Sequence, residues 1–320
     1  MLEVRVAFIG AGALANQQHY PSVTEMKGAR IVAICDLDAR RLATTADRYE
    51  VEKRYSDYRT MLEQEEFEAC YIIMPPAPLK AIALDCLAAG KHVFMEKPPG
   101  VRTEETIEMA EAAAKHGCLT AVGFNRRFAN VVVKAKCAVF QQSAPSLVMA
   151  EFHKNMLGHG PYDNMSILHS DVIHVVDLMR DFCGEATEVV SQVEHRYEEW
   201  ENSYNFYNAL LRFDSGASGI LTANRTGGNR YERFELHGRN ISCYIRAPEQ
   251  VEMYWAESRE ARILDDQFLT GTRDPRITYG YRDENIHFIE CVRAEQQPIT
   301  HLADAVKTMQ LCDRIAEGAK

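Results

Sequence analysis

Lys97 is the first residue whose type and place in the sequence suggest chemistry. It lies in the stretch FMEKPPG, residues 94–100, directly after an apolar run and Glu96. A lysine at such a place is either a surface charge beside a rigid turn or a donor aimed into a crevice. The apolar run that leads into it favours the donor, and a cis bond to Pro98 could fix the direction of the ammonium group.

A second group of reactive side chains lies on one predicted helix, near residues 168–182. Asp171 and His174 are three residues apart and so share one helix face, which Asp177 continues. A carboxylate beside an imidazole holds the tautomer of the ring and raises its pKa toward the working range. The pair could therefore take or give a hydroxyl proton; the alternative is a core histidine bonded to a backbone carbonyl.

A glycine-rich turn, Gly10-Ala11-Gly12-Ala13-Leu14-Ala15, follows the strand-like run 4–9. In a G-x-G-x-x-A turn the first glycine permits the tight bend and the second lets a pyrophosphate approach the backbone. The helix that follows points its free N–H groups at the phosphates. An ordinary glycine turn of an α/β protein is the alternative, but the strand before it, the helix after it and a later acid favour a dinucleotide site.

That later acid is Asp36, which ends the second strand-like run and could accept hydrogen bonds from a ribose diol. A carboxylate repels a 2′-phosphate, so NAD is favoured over NADP. Arg40 and Arg41 could reach a phosphate, which keeps NADP as an alternative. Ligands of parallel sheets bind at the carboxyl ends of strands, so the expected cofactor-binding residues are Gly10, Gly12, Ala13, Leu14, Asp36, Arg41, Met74, Pro75, Glu96 and Lys97.

The first 123 residues alternate strand-like and helix-like segments, which predicts an α/β Rossmann domain with a doubly wound parallel sheet over 1–123. The predicted strands are 4–9, 30–35, 69–74, 92–95 and 119–123, with helical patterns near 14–27, 38–49, 57–64, 77–89 and 103–116.

Residues 124–320 are expected to form an α+β domain with a large, mostly antiparallel, open-faced sheet that binds substrate and mediates oligomerisation. Its last two helices could pack back on the first domain. Helices are predicted near 126–140, 168–182, 283–294 and 302–317, and strands at 147–153, 187–197, 204–213, 217–226, 231–238, 241–246 and 250–255.

Composition excludes several classes of protein. The net charge of −10 argues against a nucleic-acid or anionic-membrane partner, since both need a basic face. No apolar run is long enough to cross a membrane. The nine cysteines include no CxxC pair and mostly lie in apolar runs, which favours free thiols in a reducing cytoplasm. Because no histidine pair has the H-x-x-x-H spacing, we expect no metal site.

Longer stretches of the sequence resemble the glucose–fructose oxidoreductase, inositol dehydrogenase and rhizopine-catabolism (Gfo/Idh/MocA) oxidoreductase family. The resemblance covers essentially the whole chain. The matching stretches are Gly10-Ala11-Gly12, Tyr55-Ser56-Asp57-Tyr58, Ala89-Gly90-Lys91-His92-Val93-Phe94-Met95-Glu96-Lys97-Pro98, Gly123-Phe124-Asn125-Arg126-Arg127-Phe128 and His174-Val175-Val176-Asp177.

The resemblance implies an NAD(P)-dependent dehydrogenase or reductase acting on a sugar, polyol or related small carbonyl compound. It assigns the proton relay to His174 and a hydrogen bond to the reacting oxygen to Lys97. Many relatives place an aspartate four residues before the histidine, where this chain has Ser170, and a histidine where it has Leu79. The candidate catalytic residues are Lys97, His174 and Asp171, and the candidate substrate-binding residues are Asn125, Arg126 or Arg127, His153, Tyr162, Asp171 and His174.

Two other functions stay open. One is a regulatory protein that binds a dinucleotide and a partner protein without turnover, and the other is a redox-assisted glycosidase that holds NAD tightly. The retained Lys97 and His174 argue against the regulatory protein. Under each hypothesis we expect a small-molecule ligand and, from the family, a homodimer or homotetramer.

Overall fold

The computed structural model describes residues 3–158, 165–197 and 204–319. Within these ranges no helix is both long enough and apolar enough to cross a bilayer. The chain forms two compact units, one of residues 1–124 with 281–306 and one of residues 125–280 with 307–320.

The first unit is built on a six-stranded parallel sheet with the strand order β3-β2-β1-β4-β5-β6. The order reverses between β1 and β4, as in a doubly wound sheet, so the predicted fold class of this part is confirmed. The strands are β1 (Val4–Ile9), β2 (Ala29–Cys35), β3 (Lys53–Tyr55), β4 (Ala69–Ile72), β5 (His92–Met95) and β6 (Thr120–Val122), and the helices are α1 (Tyr20–Glu25), α2 (Ala39–Arg48), α3 (Tyr58–Gln64), α4 (Pro76–Ala88) and α5 (Thr103–His116).

Local sequence explains where two of these helices begin and end. The carboxylate of Asp38 accepts the backbone N–H groups of Arg40 and Arg41, which caps the start of α2. At the end of α5, Gly117 has φ of 65°, a left-handed conformation that glycine adopts without a steric penalty.

The second unit is built on an eight-stranded sheet with the order β14-β13-β12-β11-β7-β10-β9-β8. Its neighbours pair antiparallel except β7 with β10, so the expected mostly antiparallel sheet is confirmed. The strands are β7 (Leu147–Asn155), β8 (Ala186–Glu194), β9 (Phe206–Phe213), β10 (Ser218–Asn224), β11 (Thr226–Gly238), β12 (Ile241–Arg246), β13 (Gln250–Trp255) and β14 (Arg262–Asp265), and the helices are α6 (Asn130–Gln142), α7 (Ile173–Cys183), α8 (Asp266–Thr270) and α9 (Pro275–Thr278).

Two helices end the chain, α10 (Tyr281–Ala294) and α11 (Leu302–Ala316). The domain boundary predicted after residue 123 lies one residue before the end of segment 1–124 of the first unit. Residues 281–306, which include α10, also belong to the first unit and not to the predicted second domain. Helix α11 begins in the first unit and ends in the second.

Sequence patterns missed β3, β14, α8 and α9. Strand β3 reads Lys-Arg-Tyr and lies at a sheet edge, so it lacks the apolar run that marks a buried strand. The patterns also predicted continuous helices near 14–27 and 168–182. In the structure each of these begins with a π-helical turn, at Ala15–His19 before α1 and at Leu168–Val172 before α7.

An aromatic stack forms the centre of the first unit. The rings of Phe8 and Tyr71 lie 4.7 Å apart, as do those of Tyr71 and Phe94. Phe288, from α10, contacts both Tyr71 and Phe94 with ring centroids 5.6 Å away. A helix far along the chain therefore completes the core beneath the parallel sheet.

We expect Phe288→Ala to lower the free energy of unfolding by about 3–5 kcal/mol, since it opens a cavity in that core. The matched control is Phe268→Ala, because Phe268 is 81% exposed while Phe288 is fully buried. Urea denaturation followed by circular dichroism measures both. Equal stability of the two variants would show that α10 does not stabilise the first unit.

Candidate active site

The glycine turn lies between β1 and the first helix. Gly10 has φ of 108°, and a Cβ there would lie 2.1 Å from the carbonyl oxygen of Ile73, so no other residue fits. A Cβ on Gly12 would meet no atom within 4 Å. Ala13 and Leu14 are exposed at the start of the helix. The turn is thus closed on the Gly10 side and has room for a phosphate group beside Gly12.

Asp36 fastens this turn to the end of β2. One oxygen of its carboxylate accepts the N–H of Ala11 at 2.7 Å and the other accepts the N–H of Asp38 at 2.7 Å. The guanidinium of Arg41 also reaches Asp36, at 3.3 Å, and is largely exposed. The carboxylate is fixed beside the turn, where a ribose hydroxyl could still donate to its remaining lone pairs.

Lys97 follows the carboxyl end of β5, as the sequence predicts. Its backbone N–H donates to Oε2 of Glu96 at 3.1 Å. The lysine is half-buried, the two prolines after it are buried, and the Lys97-Pro98 peptide bond is cis. Met74 is half-buried and Pro75 is exposed after β4, the neighbouring strand. The expected cofactor residues of the first unit thus follow the carboxyl ends of its parallel strands.

His174 lies on α7 and is buried, with 5% of its surface exposed. The carboxylate of Asp171 contacts two cations, Arg225 at 3.0 Å and Lys154 at 3.6 Å. Asp171 belongs to the π-helical turn before α7, which has more residues per turn than an α-helix. The three-residue spacing therefore no longer places Asp171 and His174 on one face by itself. That Asp171 holds the tautomer of His174 stays a prediction. The structure shows the same carboxylate in ion pairs with Arg225 and Lys154.

Arg225 is fully buried, and its guanidinium lies 4.1 Å from the ring centre of Phe152. Burial lowers the pKa of Arg225, and the charge of Asp171 opposes that shift. The acid and the arginine are therefore a buried ion pair in which removal of one partner strands the other.

Asp177, predicted to continue the face of His174, is also buried in an ion pair. Its carboxylate receives two hydrogen bonds from Arg127, at 2.5 and 2.7 Å, and one from Thr308 at 3.0 Å. Arg126 makes a similar pair with Glu232, at 3.1 and 3.3 Å. Burial is the largest single influence on the pKa of Glu232 and raises it. The charges and hydrogen bonds of Arg126 and Arg230 together outweigh burial, so the pKa is lowered.

These contacts bear on the expected substrate ligands. Asn125 is fully buried and donates to the carbonyl oxygen of Tyr279 at 2.8 Å. Asn125, Arg126 and Arg127 each have a partner within the second unit, so their binding of substrate stays a prediction. His153 is half-buried, and its Nδ1 accepts the backbone N–H of Asn224. Burial lowers the pKa of His153. Tyr162 lies outside the described residues.

One buried cluster has a composition that could hold a metal ion. Ligand atoms of His19, Glu96 and Glu284 all lie within 4.8 Å of one another, and all three residues are buried. Sequence spacing gave no sign of it, because the three come from distant parts of the chain. Hydrogen bonds already engage both ring nitrogens of His19 and both oxygens of Glu96.

Family models match both parts of the chain. Residues 4–124 match the model described as the oxidoreductase family with an NAD-binding Rossmann fold, and residues 142–243 match the C-terminal domain of the same family. The chain belongs to the Gfo/Idh/MocA oxidoreductase family. It is accordingly an NAD-dependent oxidoreductase, and cofactor binding by the glycine turn and Asp36 stays a prediction.

Known members of the Gfo/Idh/MocA family align over nearly the full chain. The scyllo-inositol 2-dehydrogenase (NAD(+)) of Bacillus subtilis is 28% identical over 97% of this chain and 92% of its own. A dehydrogenase from Chromobacterium violaceum has a TM-score of 0.89, with 22% identity over 100% of this chain and 96% of that one. A levoglucosan dehydrogenase in complex with NADH and levoglucosan has a TM-score of 0.86, with 20% identity over 99% and 97%.

Two residues of this family member were not predicted from sequence. His19 contacts Glu96, which is 77 positions away. Arg225, the residue after β10, contacts Asp171. Neither lies in a motif with a recognisable spacing. Only the fold of each unit brings the partners together.

We expect Gly10→Ala and Gly12→Ala to separate folding from cofactor binding. Gly10→Ala should lower the free energy of unfolding by about 2 kcal/mol or more, because its Cβ collides with backbone. Gly12→Ala should leave stability within about 1 kcal/mol of wild type but weaken NADH binding at least tenfold, as estimated from the role of this glycine.

Urea denaturation and titration of NADH fluorescence measure the two quantities. Wild-type NADH affinity in Gly12→Ala would place the phosphates elsewhere. Wild-type stability in Gly10→Ala would contradict the close approach of Ile73.

Proposed function

We propose that the chain oxidises a secondary hydroxyl group of a cyclic polyol or sugar, or reduces the corresponding ketone. The observation that carries this proposal is the placement of Lys97, half-buried after β5 with its backbone bonded to Glu96. NAD, when bound, supplies the hydride acceptor. The ammonium of Lys97 hydrogen-bonds the reacting oxygen and stabilises negative charge on it as its proton leaves.

His174 takes the hydroxyl proton during oxidation and returns it during reduction. An imidazole suits this role because its ordinary pKa lies near neutral pH. In this proposal Asp171 acts through its pairs with Arg225 and Lys154, which fix the turn from which α7 begins. It would then be a positioning residue and not a proton carrier.

The substrate class follows from relatives. Several are inositol dehydrogenases, among them a myo-inositol 2-dehydrogenase of Thermotoga maritima that is 26% identical over 92% of this chain. A cyclic polyol presents several secondary hydroxyl groups of similar chemistry, which fits a site with one ammonium and one imidazole. We therefore propose inositols and pyranoses as the first substrates to try.

The test is a panel of inositols and sugars scored by the absorbance of NADH and, separately, of NADPH. On the best substrate we expect Lys97→Ala and His174→Ala to lower kcat/KM by about 100-fold or more. NADH affinity should stay within about threefold of wild type, since neither residue belongs to the phosphate turn.

Asp171→Asn serves as the comparison: we expect a smaller loss of activity together with lower stability, by about 3 kcal/mol, since a buried ion pair is broken. Wild-type rates in both Lys97→Ala and His174→Ala would refute the site. Tight NADH binding with no turnover on the panel would favour the regulatory protein, and glycoside cleavage without net NADH formation would favour the redox-assisted glycosidase.

We also propose that the outer face of the eight-stranded sheet joins two copies of the chain. Some apolar side chains on this sheet are exposed among polar ones, including Val190 at 70% and Leu210 at 60%. Val190 and Leu210 face each other across the β8–β9 pair, and Ile220 of β10 continues the row. A solvated sheet face would carry polar residues at these positions.

Leu210→Glu should shift a dimer or tetramer toward monomer, because a charge would be buried in the contact. Light scattering coupled to gel filtration measures the mass. The control is Leu37→Glu, since Leu37 is 90% exposed and lies outside this sheet. A monomeric wild-type protein, or an unchanged oligomer in Leu210→Glu, would rule out this contact.

A further inference from the structure

A chain of buried and part-buried hydrogen bonds leads from α10 to the backbone of Lys97. Oε1 of Glu96 lies 2.9 Å from Nε2 of His19, and Oε2 of Glu96 accepts the N–H of Lys97 at 3.1 Å. His19 is fully buried and Glu96 is 7% exposed. The carboxylate thus bonds a buried ring with one oxygen and the loop of the candidate catalytic lysine with the other.

The contacts on the far side of the ring determine the tautomer of His19. The side-chain amide nitrogen of Asn285 lies 3.2 Å from Nδ1 of His19 and also donates to the carbonyl oxygen of Tyr281 at 2.6 Å. With that amide donating to both, Nδ1 is an acceptor and the proton is on Nε2, which donates it to Glu96. Nδ1 also lies 3.4 Å from Oδ1 of Asn285, a longer contact than the one to the amide nitrogen.

The packing around Glu96 leaves its carboxylate little freedom. A Cβ on Gly123 would lie 3.1 Å from the carboxylate, and the rings of Phe94 and Tyr281 lie 5.2 and 5.9 Å from the ring of His19. In such surroundings a hydrogen bond to a carboxylate is stronger than in water.

The sequence after Lys97 leaves few backbone donors to hold the loop. Pro98 and Pro99 have no backbone N–H, so Lys97 carries the only amide donor among residues 97–99. A lysine side chain has four flexible methylene groups, and its ammonium can be aimed only if the backbone from which it extends is fixed.

We propose that His19, acting through Glu96, is a positioning residue that fixes the backbone of Lys97 for catalysis. The proposal rests on the proposed role of Lys97 and extends it to a residue in the first helix. The alternative for the same cluster is a metal ion held by His19, Glu96 and Glu284. The hydrogen-bond chain is favoured because it accounts for both nitrogens of the ring and both oxygens of Glu96.

The test compares His19→Ala with His19→Gln, whose amide can donate to Glu96 and accept from Asn285. The control is Thr120→Val, which removes another buried hydrogen bond of the first unit, the one from the N–H of Leu302 at 3.0 Å. Hydrogen–deuterium exchange followed by NMR resolves the Lys97 amide from those of its neighbours Glu96 and Gly100. This readout needs no substrate.

We expect the Lys97 amide of His19→Ala to exchange at least about tenfold faster than in wild type, with partial recovery in His19→Gln and no change in Thr120→Val. On the best substrate of the panel, kcat of His19→Ala should fall about 10- to 100-fold, as for a displaced catalytic group, while NADH affinity changes less than about threefold. His19→Gln should recover part of kcat.

Unchanged exchange at Lys97 in His19→Ala would overturn the proposal whether or not a substrate is found. So would wild-type kcat in His19→Ala when Lys97→Ala is inactive. If Lys97→Ala itself is fully active, the proposed function of Lys97 fails instead. Faster exchange in wild type after dialysis against EDTA would assign the ordering of the loop to a metal ion, which also overturns the hydrogen-bond chain.

Discussion

Parallel pairing constrains the first unit more than any single contact. Because β1, β2, β4 and β5 run in one direction, the segments after Ile9, Cys35, Ile72 and Met95 all begin at one edge of the sheet. The glycine turn, Asp36, Met74 and the Glu96-Lys97 pair are those segments. Residues far apart in sequence thus become neighbours because of the sheet, and ligands of parallel sheets bind at these strand ends.

Several buried charges of the second unit are held in ion pairs. Asp177 with Arg127, Glu232 with Arg126, and Asp171 with Arg225 each join distant segments of the second unit. Such pairs contribute little net stability compared with apolar packing, but they tolerate few alternative arrangements. Asp177 ties α7 to Arg127, and Asp171 ties the turn before α7 to Arg225.

The sequence predicted most of the fold because apolar runs and helix periods mark buried elements. It located the glycine turn, Asp36 and Lys97 because each has a fixed relation to a strand end. It did not reveal His19 or Arg225, whose partners are 77 and 54 positions away and are brought close only by tertiary packing. The face shared by Asp171 and His174 was inferred from α-helical spacing, which the π-helical turn at Leu168–Val172 changes.

The central claim is that the edge of the parallel sheet binds NAD at the glycine turn and presents Lys97 to the reacting oxygen. A crystal structure of the protein with NADH and an inositol tests it most directly. The claim predicts the pyrophosphate beside Gly12, a ribose hydroxyl on Asp36 and the Lys97 amine hydrogen-bonded to a substrate oxygen. A dinucleotide bound elsewhere, or a Lys97 amine pointing to solvent in that complex, would contradict it.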